Sequence, residues 1–384
     1  MENRIYLDYA ATTPVRREVI EAMLPYFADA GHNPSSLHAE GRRARAGLDQ
    51  ARDRVAAILG VPRKTITFTG SGSESDNQAI IGVVRALTPK GRHIISSAIE
   101  HHAVLHSLDA LRDEGFEVTL VGVDGRGLID VAEFAAAIRP DTIFATIMLA
   151  NNEIGTIQPI RDLAGVARAR GVLFHTDAVQ AAPWVDVRPE VLGVDLLSMS
   201  AHKFYGPKGV GVLYAREGVP VQPLVYGGGQ EFGRRSGTEN VAGIVGFATA
   251  FELATRERAE SVQRVAALRD RLEARVKALE DVRINGEGAP RLPNNCNVSF
   301  AGIDSESMLV GLDLEGVAVS AGSACTSGAL EPSHVIAALG IDTRWHRGVI
   351  RFSLGAGTMD ADIERVAGLV ARLADEMRER NVHS

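Results

Sequence analysis

The sequence predicts an α/β protein, with a mostly parallel seven-stranded sheet in a large domain and a smaller α+β domain after it. Three observations carry this prediction. Seven apolar, β-branched runs fall in the first two-thirds of the chain, and segments with 3.6-residue periodicity separate most of them. After one long helical pattern the rhythm changes to shorter strands. In chain order, strands are expected at 65–69 (Thr-Ile-Thr-Phe-Thr), 93–96, 116–121, 142–147 (Thr-Ile-Phe-Ala-Thr-Ile), 172–176, 195–199 and 210–214. Helices are expected between them at 73–85, 103–114 and 160–170. The long helix runs from about 238 to 279 and is followed by strands at 295–300 and 349–354. Further helices are expected at 306–314, 332–339 and 360–378. The division expected is a large domain over 15–255 and a small domain built from 1–14 plus 256–384, with the hinge inside the long helix.

Composition narrows the function classes. The chain has 384 residues, 41 Lys plus Arg against 48 Asp plus Glu, and a formal net charge of −7. Apolar residues make up 45% and charged ones 23%, which excludes wholesale disorder. The acidic balance gives no electrostatic reason to expect nucleic acid or an anionic membrane as partner. The longest apolar stretch, near 241–251, is too short to span a bilayer, and Met1-Glu2-Asn3-Arg4 lacks an apolar signal region. Two cysteines, Cys296 and Cys325, with no CxxC pair, make neither a disulfide framework nor a structural zinc site. A cytoplasmic protein without an intrinsic metal is expected. Lysines are scarce: Lys64, Lys90, Lys203, Lys208 and Lys277 are the only candidates for chemistry that needs an amine.

Three segments carry chemistry. In Thr67-Phe-Thr-Gly-Ser-Gly-Ser-Glu-Ser-Asp-Asn77 a strand enters a Gly/Ser turn, where Ser73 and Asp76 have the spacing of a helix cap. Free N–H groups at such a helix start suit a phosphate, although a well-capped helix is the plainer reading. Neither a P-loop Gly-Lys nor a GxGxxG fingerprint is present, so the phosphate would not be a nucleotide's. In Phe174-His-Thr-Asp-Ala-Val-Gln180, Asp177 and Gln180 close a central strand, where ligands of open α/β sheets bind. A buried carboxylate there needs a cationic partner such as a protonated pyridine nitrogen; the plainer reading is an N-cap aspartate. In Ser198-Met-Ser-Ala-His-Lys-Phe-Tyr-Gly-Pro-Lys-Gly209, Lys203 follows an apolar strand and precedes a Gly/Pro turn, a setting for a Schiff-base amine, with Lys208 its nearest competitor. A phosphate nest, a ring-nitrogen carboxylate and a Schiff-base lysine together describe pyridoxal 5′-phosphate (PLP).

The sequence resembles the cysteine desulfurases of the iron–sulfur-cluster-assembly and nitrogen-fixation type, which are class V aminotransferase-like proteins of PLP fold-type I. The resemblance spans nearly the whole chain. It includes Tyr6-Leu-Asp-Tyr-Ala-Ala-Thr-Thr-Pro14, Asn33-Pro-Ser-Ser-Leu-His38, Glu100-His-His-Ala-Val104 and Asn151-Asn-Glu-Ile-Gly155. It continues through the Lys203 segment, Gly227-Gly-Gly-Gln-Glu231, Arg235-Ser-Gly-Thr238, Ser323-Ala-Cys-Thr-Ser327 and Arg351-Phe-Ser-Leu-Gly355. It implies that Lys203 forms the internal aldimine, that Asp177 pairs with the pyridine nitrogen, and that Gln180 contacts the phenolic oxygen. His101 would stack on the ring and relay protons. Gly72, Ser73, Ser200 and His202 would hold the phosphate, with Thr238 reaching it from the other subunit of a homodimer. Asn152 and Arg351 would orient the carboxylate of L-cysteine, a task that suits a guanidinium. On composition alone Asn152 reads as a turn residue and Arg351 as half of a surface ion pair.

The two cysteines separate by context. Cys296 stands at a strand entrance and reads as a packed residue. Cys325 stands in a run of small residues and turn formers, expected to be mobile and exposed. The resemblance makes Cys325 the nucleophile that takes up sulfur as a persulfide, a residue that a cluster on a scaffold partner could share. The expected reaction converts L-cysteine to L-alanine, passing sulfur to an iron–sulfur scaffold or another acceptor. A selenocysteine lyase, a class V aminotransferase and a silent scaffold are the alternatives. Two departures from the family pattern stand out: Gly70-Ser-Gly-Ser73 in the phosphate turn, and Phe232 where Arg is expected.

Overall fold

A computed structural model describes residues 4–321 and 333–382. The chain opens with β1 (Ile5–Tyr6), α1 (Arg17–Met23) and α2 (Ala39–Leu59). Then come β2 (Ile66–Thr69), α3 (Gly72–Leu87), β3 (His93–Ser97), α4 (His102–Asp113), β4 (Glu117–Val121) and α5 (Val131–Ala137). They lead to β5 (Thr142–Thr146), α6 (Ile160–Ala169), β6 (Leu173–Asp177), α7 (Pro189–Leu192), β7 (Leu196–Ser200) and β8 (Gly211–Ala215). After α8 (Val241–Lys277) the chain forms β9 (Val282–Asn285), β10 (Asn295–Phe300), α9 (Ser305–Leu314) and β11 (Val317–Ala318). It ends with α10 (His334–Ala338), β12 (Val349–Ser353) and α11 (Asp360–Val382).

The seven expected strands are the seven strands of the central sheet, in the order β2-β8-β7-β6-β5-β3-β4. Only β8 runs against its neighbours, β2 and β7. All but the edge strand β4 are buried on both faces, which is why they read as near-continuous apolar runs rather than as alternation. A second sheet of three antiparallel strands, β12-β10-β9, and a two-stranded pair, β1-β11, join the N-terminus to the C-terminal third. Ser353 N–H donates to Leu7 O at 2.7 Å, and Asp8 bridges to Ser353 in parallel register.

The apolar stretch at the start of α8 is core. Phe247 meets Phe204 with ring centroids 5.2 Å apart and Phe68 at 6.1 Å, both edge-on, and Phe251 packs beside them. Burying such a side chain contributes roughly 1.5–3 kcal/mol, so this helix fastens the floor of the sheet. Among the described residues no helix is long and apolar enough to cross a membrane.

One local reading needs correction. The cap of α3 is Ser71, not Ser73: Ser71 Oγ accepts from Glu74 N–H at 3.0 Å, and Glu74 Oε2 accepts from Gly70 N–H at 2.8 Å. This is a variant of the capping box in which Glu74 reaches the N–H one residue before the N-cap, and the cap itself stands two residues N-terminal to the expected one. Asp76 is thereby released from capping, and it is buried instead.

Candidate active site

Because β2 runs parallel to β5, β6 and β7, the carboxyl ends of these strands share one edge of the sheet. The expected residues follow them: Gly72 after β2, His101 after β3, Asn152 beyond β5, Asp177 at the end of β6, Ser200 and Lys203 at and beyond the end of β7. They converge on one cavity of about 320 Å³, within the range of small-molecule sites. Its lining includes Gly72, Ser73, His101, Asn152, Asp177 and Gln180. Ser200, His202, Lys203 and Arg351 complete the expected set there. Thr238 is exposed and absent from that lining. Cys325 lies outside the described residues, as does Pro332. The described residues on either side of that segment do meet the site. Ser320 pairs with Arg351, and His334, in the lining, bonds through Nε2 to Glu100 O at 2.9 Å.

The wall expected to hold a phosphate is built from the first turn of α3. A Cβ at Gly72 would stand 2.8 Å from Val179 Cγ2 and 3.1 Å from Ser200 Cβ, so only glycine lets the turn close against β7. Ser73 is exposed at the same helix start, and His202 Nδ1 lies 3.2 Å from Thr12 Oγ1. Burial and the neighbouring Lys203 hold the His202 imidazole down at about 4, so it is neutral at physiological pH.

At the opposite end Asp177 is buried, with Oδ1 accepting the Val179 N–H at 2.8 Å. Burial pushes its carboxyl up to about 6, while that hydrogen bond and Lys203 pull it back. Gln180 Nε2 donates to Ala10 O at 2.9 Å, and Lys203 Nζ donates to Ala10 O at 2.7 Å and Ala11 O at 2.9 Å. The N-terminal segment after β1 thus fixes both side chains.

His101 caps α4. Its Nδ1 accepts the Ala103 N–H at 3.1 Å, so the proton of the neutral ring sits on Nε2. Burial, then Lys203, then His102 hold it down to about 4. As placed, His101 offers an N–H donor. The neighbouring His102 also lines the cavity and packs edge-on against His334, centroids 4.8 Å apart. Among the described residues no group of three His, Cys, Asp or Glu side chains is set to hold a metal ion.

Arg351 is no surface residue: it is 2% exposed. Its guanidinium donates to Asp8 Oδ1 at 2.8 Å and to Asn152 O at 2.9 Å. Cys296 is buried in β10, and burial raises its thiol far above the ordinary range, which makes it inert. Phe232, the departure from the family pattern, stacks with the Arg52 guanidinium at 5.0 Å, and Phe68 does so at 4.9 Å. Arg52 pairs there with the buried Glu231.

Sequence reasoning missed the buried carboxyls around the site. Glu100 is fully buried, and its Oε1 accepts from Ser97 Oγ at 2.5 Å and Met148 N–H at 3.0 Å. Burial pushes it up to about 8. Glu153, also buried, and the half-buried Asp8 carry no role in the sequence reading, and Asp76 enters it only as a cap partner. A charged residue on the apolar face of α3 was the available signal for Asp76.

Residues 5–366 match the family described as aminotransferase class-V. The chain is 49% identical over 379 residues to a cysteine desulfurase IscS from Dictyoglomus turgidum, covering 98% of this chain and 96% of the relative. It is 48% identical over 378 residues to a cysteine desulfurase IscS from Methanosarcina thermophila, covering 98% and 94%. Among solved structures, a NifS-like protein superposes with a TM-score of 0.91 at 37% identity, covering 98% of this chain and all of the other. SspA in complex with cysteine superposes with a TM-score of 0.81 at 35% identity, covering 93% and 100%.

Proposed function

The chain belongs to the class-V aminotransferase family, among its cysteine desulfurases, and from that premise we propose how its own residues divide the work. The enzyme is a cysteine desulfurase acting on L-cysteine. The observation that carries the proposed division is that Lys203, Asp177 and Arg351 line one cavity.

The donor set fits PLP. The α3 N-terminus with Gly72, Ser73, Ser200 and His202 would hold the phosphate, Asp177 the ring nitrogen, Gln180 the phenolic oxygen and Lys203 the aldehyde carbon. When bound, PLP supplies a sink for the electrons released at the substrate Cα. Arg351, buried and oriented by Asp8, would take the substrate carboxylate together with Asn152. Lys203 Nζ would carry the Cα proton away and return it. His101, neutral, would donate from Nε2 towards the substrate sulfur. The Cys325 thiolate would attack that sulfur while the Cβ–Sγ bond breaks and its electron pair stays with carbon. A persulfide would remain on Cys325, and protonation would yield L-alanine.

Thr238 completes the phosphate site of a second subunit in this reading, so the working form is a homodimer. The acceptor is an iron–sulfur scaffold or another thiol carrier. The same reading keeps 15–255 and 1–14 plus 256–384 as its two domains. The test is incubation of the PLP-loaded enzyme with L-cysteine, measuring alanine and sulfide. Cys325→Ser should keep the visible cofactor band and lose persulfide formation; undiminished sulfur release would remove Cys325 from the reaction.

A further inference from the structure

A second carboxyl lies beside the ring-nitrogen carboxylate, and the chemistry above does not use it. Asp76 sits one turn into α3 on the buried face that also carries Ile80 and Val83, and it is 1% exposed. It lines the same cavity as Asp177. Its Oδ1 is buried without a hydrogen-bond partner and stands 3.7 Å from His175 Nε2, beyond bonding range. His175 has both nitrogens engaged, Nδ1 with Thr146 Oγ1 at 2.8 Å and Nε2 with Ser198 Oγ at 2.9 Å. On β6, His175 and Asp177 are two residues apart and share a face, and β7 pairs Ser198 with Asp177. The first turns of α3 lay Asp76 over that spot.

We propose that Asp76 is a positioning residue, a neutral carboxylic acid whose hydroxyl donates towards Asp177 and holds it as the one charged carboxylate facing the ring nitrogen. This rests on the PLP reading above. The groups that face Asp76 are Asp177, Glu100, His175 and the Ser198 hydroxyl, and none of them supplies a positive charge. His175 stays neutral, because burial holds it down to about 3. Burial and the like charge of Asp177 raise Asp76 well above the usual carboxylate range, against a smaller pull from the Ser198 hydroxyl. Asp177 is the better held as the carboxylate, because its Oδ1 accepts the Val179 N–H at 2.8 Å and Lys203 favours its charge, whereas Asp76 Oδ1 accepts no hydrogen bond. Three carboxyls under one cavity cannot all ionise, and the proton inventory assigns the charge to Asp177. Beyond the Val179 bond, the Asp177 carboxylate has lone pairs left to accept a hydroxyl.

The experiment compares wild type, Asp76→Asn and Asp76→Ala by infrared difference spectroscopy and by PLP affinity. At pH 7 the wild-type apoprotein should show protonated-carboxyl C=O absorption, of which one component is lost in Asp76→Asn while that of Glu100 remains. The amide is neutral and still donates, so PLP affinity in Asp76→Asn should stay within about threefold of wild type, whereas Asp76→Ala should lose about tenfold or more. If no protonated-carboxyl band is lost at pH 7, or if Asp76→Ala binds PLP as tightly as wild type, the inference is overturned. Should Asp76→Ala not fold, the infrared comparison with Asp76→Asn decides alone. If wild type binds no PLP, the cofactor reading falls, while the apoprotein spectra still report on Asp76.

Discussion

Replacing Arg351 by lysine keeps a positive charge and removes a fork. The guanidinium is 2% exposed and already spans Asp8 Oδ1 at 2.8 Å and Asn152 O at 2.9 Å, so its plane is fixed before substrate arrives. A lysine Nζ is a single point of charge and cannot hold both anchors while meeting a carboxylate edge-on. Asp8, one-fifth exposed, would draw that ammonium to itself. The lost contact is a hydrogen bond between charged groups, about 1.5–3 kcal/mol, or roughly 10- to 150-fold in kcat/KM. In the proposed role the contact would hold substrate before and during reaction alike, so the loss should fall on KM with kcat little changed. The assay is the initial rate of alanine formation against L-cysteine concentration at saturating PLP, with thermal unfolding to show an intact fold. A folded Arg351→Lys enzyme with kcat/KM within about threefold of wild type would refute the role given to the fork.

Four further outcomes are expected. Lys203→Ala should lose the visible cofactor band and the activity together, as read by absorbance and alanine formation. Glu231→Gln leaves the buried Arg52 charge without its partner and should cost about 3–5 kcal/mol in urea unfolding; a change under about 1 kcal/mol contradicts the pairing. Glu100 binds its proton more tightly folded than unfolded, so its contribution favours the fold below about pH 4.5 and is lost as pH rises towards about 8. The stability of wild-type apoprotein relative to Glu100→Gln should therefore fall by roughly 3–5 kcal/mol across that window, and a rise would be the wrong sign. Cys296 should resist alkylation in the native enzyme and react only on unfolding, which iodoacetamide labelling with peptide mapping checks.

The central sheet was legible because all its strands but the edge strand β4 are buried on both faces, and β-branched runs such as Thr142–Thr146 have few other uses. The helix α2 was not legible, because Leu48, Val55 and Leu59 are diluted in its buried stripe by Gly41, Ala44, Gly47, Ala51 and the buried Arg52, which leave little apolar contrast. Two-residue strands such as β1 and β11 exist through their pairing with each other, which no local pattern reveals. At the site, Lys203, Asp177 and His101 stand where strands end, and strand ends can be read from sequence. Which serine caps α3 could not be, since Ser71–Glu74 and Ser73–Asp76 have the same spacing and only burial separates them. Likewise the Asp8 partner of Arg351 is 343 residues away in the chain.

The most direct measurement is mass spectrometry of the PLP-loaded enzyme after one turnover with L-cysteine and no acceptor. The mechanism predicts one added sulfur atom on the peptide containing Cys325, none on the peptide containing Cys296, and one alanine released per active site. Alanine formed with no added sulfur on Cys325, or sulfur found on Cys296 instead, would contradict it.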